Sequence, residues 1–212
     1  MRLKHVRGAD EIIRKGKYYI DNPKEYKGIW EKVFNNNNPI YIEIGMGKGD
    51  FIIENACKYP DINFIGIERY DSVLVRAIQK SNELELTNLK LIRLNADYIQ
   101  DIFTNEIDLI YLNFSDPWPK DRHAKRRLTS QVFLEKYNNI YKNIPHIIMK
   151  TDNRDLFNYT IYSLKEYGYT INKLTNDLYN SKYLEGNIQT EYEKKFVNLG
   201  MKINYLDATK EK

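Results

Sequence analysis

From Pro39 onward, short apolar runs alternate with amphipathic stretches of helical length. That alternation narrows the fold more than any other feature. Strands separated by helix-length crossovers pair in parallel, and a parallel sheet must be covered on both faces. The runs Ile40 to Ile44, Asn63 to Ile67, Leu89 to Leu94, Ile107 to Asn113, Ile147 to Lys150, Tyr169 to Leu174 and Ile203 to Leu206 read as strands. Helices are predicted from Asp50 to Lys58, Asp71 to about Glu85, Thr129 or Ser130 to Lys142, Asn153 to Tyr167 and Glu191 to Leu199. An α/β fold with a seven-stranded, mostly parallel sheet is the expectation.

At 212 residues and 42% hydrophobic content, the chain fills one substantial core, so a single domain is expected. Residues 1–38 read as a basic arm carrying Arg2, Lys4, His5, Arg7, Arg14, Lys15 and Lys17. An amphipathic segment around Tyr26, Ile29, Trp30, Val33 and Phe34 follows and should pack on the domain of residues 39–212. One cysteine, Cys57, excludes an intrachain disulfide framework and a cysteine-cluster zinc site, and no metal is expected. No apolar run approaches a membrane span and no apolar leader follows Met1, so a cytoplasmic, soluble protein is expected.

The stretch Ile107 to Arg127 combines three features. An apolar run to Phe114 leads into the turn Ser115-Asp116-Pro117-Trp118-Pro119, and a cationic run follows. Two prolines forbid helix directly after the strand and fix two φ angles, so Asp116 is held at a strand's carboxyl end. In an open parallel sheet that edge binds ligands. Lys120, Arg122, Lys125, Arg126 and Arg127 face a single acid, Asp121, so residues 120–127 carry the same surplus, +4, as the whole chain. A basic run alone is more often a solvated surface than a binding strip. Beside an acid and an aromatic, it points to a site for a flat, anionic partner.

Three more acids sit at predicted strand ends. Glu43 precedes the turn Gly45-Met46-Gly47-Lys48-Gly49-Asp50, which fails the dinucleotide fingerprint because Asp50 stands where the third glycine belongs. Glu68 lies nineteen residues after Gly49, placed to accept bonds from ribose hydroxyls, and Asp97 is placed for an adenine amino group. Each has a plainer explanation: Glu68 pairs with Arg69 or a lysine, and Asp97 caps a turn. Taken together they describe a nucleoside pocket suited to S-adenosylmethionine.

With those acids in place, the strip Asn113-Phe114-Ser115-Asp116-Pro117-Trp118-Pro119-Lys120 resembles that of bacterial tRNA (guanine-N7-)-methyltransferases. So do His123, Lys125-Arg126-Arg127-Leu128, Lys150-Thr151-Asp152-Asn153 and Thr190-Glu191-Tyr192-Glu193-Lys194-Lys195-Phe196. The resemblance covers Pro39 to Leu199 in family order. It implies a class I S-adenosylmethionine-dependent methyltransferase (Rossmann-like) fold with the last strand antiparallel, and methyl transfer to N7 of the variable-loop guanine of tRNA. It places cofactor contacts at Glu43, Gly45, Gly47, Glu68, Asp97 and Asp116. Because guanine N7 carries no proton to remove, Asp116 is expected to act as a catalytic, orienting carboxylate and not as a general base. It places substrate contacts at Lys120, Asp152, Thr190, Glu191, Tyr192 and Glu193, and an RNA strip at Arg122, His123, Lys125, Arg126 and Arg127. Monomer and homodimer both remain open.

Two departures from the family pattern stand out. Asp121 replaces a usual lysine, and Val6-Arg7-Gly8 lacks an expected Pro-Trp. Thr190 to Glu193 is also a capping box in its own right, and Asp152 can serve the helix that follows it. Competing functions are a methyltransferase for another acceptor and a non-catalytic RNA-binding module. Intact acids at four strand ends favour an enzyme.

Overall fold

The structure is a computed structural model and describes residues 6–211. Among these residues eight strands form one sheet: β1 (Tyr19–Ile20), β2 (Ile40–Ile44), β3 (Asn63–Glu68), β4 (Leu89–Arg93), β5 (Leu109–Asn113), β6 (His146–Thr151), β7 (Thr170–Thr175) and β8 (Asn204–Thr209). Their order is β1-β4-β3-β2-β5-β6-β8-β7. Strands β1 to β6 pair in parallel, while β8 runs antiparallel to both β6 and β7. The seven expected strands all form. The eighth, β1, comes from the amino-terminal region, where the sequence pattern predicts none.

Among the described residues, seven α-helices cover the sheet: α1 (Ala9–Arg14), α2 (Trp30–Phe34), α3 (Asp50–Lys58), α4 (Asp71–Ser81), α5 (Gln131–Asn138), α6 (Arg154–Glu166) and α7 (Glu191–Asn198). The period-two alternation of the strands decides which layer each residue joins. Ile65 and Ile67 point into a core with Trp30 and Phe34 of α2, Phe133 and Tyr137 of α5, and Leu156 and Phe157 of α6. Phe64 and Leu91 point the other way, onto Ile52 and Ala56 of α3, Leu74 and Ile78 of α4, and Ile13 of α1.

The basic-arm expectation is corrected for the residues the structure describes. Ile13 and Tyr18 are buried in the α1/α4 layer, and the Leu91 amide donates to the Tyr18 carbonyl at 2.9 Å. The Tyr18 hydroxyl donates to the Leu84 carbonyl and accepts from the Leu86 amide. A few apolar residues spaced between lysines and arginines are enough to dock this segment, and charge counting hides them. Arg2, Lys4 and His5 lie outside the described residues.

The chain proceeds β2-β3-β4 across one half of the sheet, then returns to place β5 on the other flank of β2. The topological switch point therefore lies between the carboxyl ends of β2 and β5, where open α/β sheets form their ligand crevice. Glu43 and Asn113 stand at those two ends.

Candidate active site

Glu43 is buried, and its Oε1 accepts from the Asn113 Nδ2 at 2.8 Å, tying β2 to β5. Its other oxygen, Oε2, has no partner among the described residues. Burial pushes its carboxyl up to about 7, against the lowering effects of Asn113 and the nearby Lys150 ammonium. An orphaned acid oxygen at the switch point is a ready acceptor for a cationic or N–H-bearing ligand.

The loop after Glu43 folds tightly onto β3. The Gly45 and Met46 amides both donate to the Ile67 carbonyl. At Gly47, φ is 59° and a β-carbon would meet open space, so no side chain fills the space beside the backbone there. Gly49 has a different constraint: φ is 81° and a β-carbon would stand 2.8 Å from that of Ala77, so only glycine lets α3 approach α4. A cleft of about 430 Å³ beside this loop is lined by Lys48, Asp50, Arg76, Gln79, Lys80 and Glu191.

Glu68 ends β3 nearly buried and pairs with no lysine or arginine side chain among the described residues. Its Oε1 accepts from the Arg69 and Tyr70 amides at 2.8 and 3.0 Å, and its Oε2 from the Gly47 amide at 3.2 Å. A carboxylate has about four acceptor positions. Three are occupied, leaving one. Desolvation nevertheless raises its pKa. Asp97 follows β4 on the same edge and is exposed. Asn95 makes the turn there, its Oδ1 accepting from the Asp97 amide, while Lys136 Nζ lies 3.6 Å from the Asp97 carboxylate.

Asp116 lies in the loop after β5, exposed, and its carboxylate makes no hydrogen bond or ion pair among the described residues. Two non-glycine residues around it take left-handed backbone, Phe114 with φ 51° and Trp118 with φ 42°. Such conformations cost on the order of 1 kcal/mol or more each and persist only where surrounding contacts enforce them. The contacts are visible. Phe114 stacks on Phe196 of α7 at 5.8 Å, and Phe196 in turn stacks on Tyr192. Trp118 packs edge-on against His123 and under the Arg126 guanidinium.

The basic strip forms a 3-10 helix, Asp121–Arg126, preceded by Lys120. Lys120, Arg122, Lys125 and Arg126 are exposed and have no carboxylate partner among the described residues. Asp121 occupies the first turn, where the helix end tolerates an acid. Arg127 differs from its neighbours. Its Nε and Nη2 donate to the Pro117 and Trp118 carbonyls, both at 3.1 Å, and its guanidinium lies 4.2 Å from the Tyr159 ring centre.

At the β6 end, Asp152 is partly buried and desolvation raises its pKa, while the adjacent Asn153 caps α6 by accepting from the Leu156 amide. The capping box at α7 forms as the sequence suggests. The Glu193 amide donates to Thr190 Oγ1 at 2.9 Å, and the Thr190 amide to Glu193 Oε2 at 3.3 Å. Glu193 is fully buried and also accepts from Lys150 Nζ at 2.6 Å, the Tyr179 hydroxyl and Asn187 Nδ2. The Glu193 carboxylate is therefore engaged in holding α7 to β6. Of the four residues Thr190 to Glu193, only Glu191 and Tyr192 face solvent, and Glu191 pairs with Lys48 of the glycine loop at 2.5 Å.

Sequence reasoning missed several members of this arrangement. Asn113 as the partner of Glu43, Lys150 as the partner of Glu193, Lys48 as the partner of Glu191, and Tyr159 beneath Arg127 all come from distant segments. A buried-strand lysine at 150 was the one local signal.

A parallel sheet with an antiparallel last strand, a glycine turn at the switch point and acids along the carboxyl edge define a class I methyltransferase fold. Solved structures agree. An antibiotic-related methyltransferase superposes with a TM-score of 0.66 at 18% identity, over 93% of this chain and 98% of that one. The 16S rRNA methyltransferase KamB gives 0.64 at 11% identity, over 86% and 93%. A family model described as "Putative methyltransferase" matches residues 37–206. Among curated proteins, the tRNA (guanine-N(7)-)-methyltransferase of Lachnoclostridium phytofermentans is 51% identical over the full length of both chains. That of Bacillus subtilis is 50% identical over 96% of each. The chain belongs to the tRNA (guanine-N(7)-)-methyltransferase family.

Proposed function

We propose that this chain transfers a methyl group from S-adenosylmethionine to N7 of the variable-loop guanine of tRNA, with Asp116 orienting the base and no general base taking part. The observation that carries the reading is the unpartnered Asp116 carboxylate, held beside the β2/β5 switch point and followed by four solvent-facing cations without carboxylate partners among the described residues. The relatives' name supports the acceptor.

The residues present fit the cofactor. The open space beside Gly47, the orphaned Glu43 oxygen and the residual acceptor position on Glu68 suit a ligand that carries cationic groups and ribose hydroxyls. Glu43, Gly45, Gly47, Glu68 and Asp97 would hold it. S-adenosylmethionine supplies a methyl group on a positively charged sulfur.

Guanine N7 has an in-plane lone pair and carries no proton, so nothing need be removed before it attacks. Alignment then dominates the barrier, and fixed orientation contributes several kcal/mol. The guanine ring gains positive charge as N7 bonds to carbon. Asp116 accepts from the guanine N1 and exocyclic N–H donors and favours the cationic product electrostatically. Lys120, Arg122, Lys125 and Arg126 hold the phosphates on either side of the base, and Tyr192 supplies an aromatic face near the stacked Phe114 and Phe196.

The test is labelled S-adenosylmethionine with unmodified tRNA, followed by chemical cleavage at N7-methylguanine. Cleavage at one variable-loop site is expected. Asp116→Ala should lower the single-turnover rate by about 10² or more, the scale of removing one preorganised electrostatic interaction. A near-wild-type rate in that variant would sink the assignment.

A further inference from the structure

We infer that Arg127 is a positioning residue for the Asp116 loop, acting with Tyr159 as a clamp on the loop's backbone, and does not contact tRNA phosphate. The inference rests on the role proposed above for Asp116.

A guanidinium presents its donors in a fixed planar fork. In Arg127, two of those donors are spent on consecutive carbonyls, Pro117 and Trp118, the residues directly after Asp116. The ring of Tyr159, on α6, lies against the guanidinium at 4.2 Å. The clamp therefore ties the loop after β5 to a helix anchored in the main core, where Leu156 and Phe157 of the same helix are buried. The loop needs such a restraint. Phe114 and Trp118 both hold left-handed backbone that their side chains disfavour, and the Asp116 carboxylate between them has no bond of its own to fix it among the described residues. Arg126, one residue earlier, lies exposed over the outer Trp118 ring, so the two adjacent arginines divide the work: one faces inward to the loop, the other faces solvent.

Lysine cannot replace this clamp. It keeps the charge but lacks the planar fork and the stacking face. A phosphate contact, by contrast, largely survives Arg→Lys, because a point charge is what counterion release requires. The two roles therefore predict opposite behaviour from one substitution.

The experiment compares the wild type with Arg127→Lys, Arg127→Met, Tyr159→Leu and Arg126→Gln. Each is checked for a cooperative thermal melt, then assayed for single-turnover methyl transfer at saturating tRNA and cofactor, for tRNA affinity against salt, and for acrylamide quenching of tryptophan emission. The chain has two tryptophans and Trp30 is fully buried, so quenching reports on Trp118. Arg127→Lys and Arg127→Met should both lose about 10- to 100-fold in rate, the scale of displacing a catalytic group by roughly an ångström. Their salt slope for tRNA should match the wild type and Trp118 should become more quenchable. Tyr159→Leu, which removes no charge, should move rate and quenching in the same direction. Arg126→Gln should instead flatten the salt slope by roughly 0.7 to 0.9, which the Arg127 variants should not do.

Wild-type turnover in Arg127→Lys together with a flattened slope in Arg127→Met would overturn the clamp, as would unchanged Trp118 quenching in all three clamp variants. The quenching measurement needs neither tRNA nor cofactor. Increased quenching in a protein that fails to methylate tRNA would uphold the clamp while refuting the proposed reaction.

Discussion

At the scale of single residues, burial and the number of bonding partners separate groups that look alike in the sequence. Glu43, Glu68, Asp97 and Asp116 are all acids at strand ends, yet the first is buried with one free oxygen, the second is largely consumed by backbone amides, and the last two are exposed. Glu43 carries a pH signature. Its folded-state value of about 7 lies above the ordinary 4.5, so between those values the folded chain binds the extra proton. Its contribution is therefore greatest below about pH 4.5 and is lost as pH rises to 7, a difference of roughly 3 kcal/mol at 1.36 kcal/mol per pK unit. Glu43→Gln should consequently melt higher than the wild type at pH 8, and the gain should shrink at pH 5. Melting curves at the two pH values check this, and an equal difference at both would show that Glu43 is not held protonated by burial. The sequence placed Glu43 at a strand's carboxyl end correctly, but burial and the missing partner on Oε2 depend on what β5 brings alongside it.

At the scale of elements, local patterns were legible wherever a strand or helix announces itself. The strand at 40–44 and the helix at 50–58 fall where periodicity and the glycine turn predict them, as does the capping box of α7. The amphipathic segment around Trp30 and Phe34 packs on the core as its spacing predicts, but the residues before it were not legible, because α1 and β1 are too short to show a period and their burial depends on α4 and β4. The α7 motif shows a further difference. Thr190 and Glu193 match both a helix cap and a substrate motif, and the structure adds that Glu193 is paired with the buried Lys150. Removing one partner of a buried ion pair costs about 3–5 kcal/mol, because the remaining charge is left uncompensated. Glu193→Gln should therefore lower the melting temperature by roughly 6–20 °C. An unchanged melt with abolished turnover would instead place the carboxylate on the substrate.

At the scale of the whole molecule, net charge is a poor guide and its distribution a good one. The chain's +4 is matched by residues 120–127 alone, and the structure presents Lys120, Arg122, Lys125 and Arg126 without carboxylate partners among the described residues. Replacing Arg122, Lys125 and Arg126 together by Gln should reduce the log-log salt slope of tRNA binding by roughly 0.7 to 0.9 for each phosphate deprived of its cation. Filter binding across a salt series measures it, and an unaltered slope would move the phosphate path elsewhere. No helix among the described residues is long and apolar enough to cross a membrane, and no group of three or more His, Cys, Asp and Glu among them is placed to hold a metal ion.

The sequence by itself determined the strand and helix succession from Pro39 onward, the carboxyl-edge acids, the family and the position of the basic strip. All of these follow from periodicity, turn chemistry and short motifs, which act over a few residues. Only the tertiary structure decided which charges are free. Arg127 and Arg126 are neighbours of the same type, and Glu193 and Glu191 share one turn of helix. What separates them is Tyr159, Lys150 and Lys48, brought in from other strands, helices and loops by the crossover topology. Pairing energies depend on the solvent each group loses and the partner it meets, and both are properties of the packed sheet.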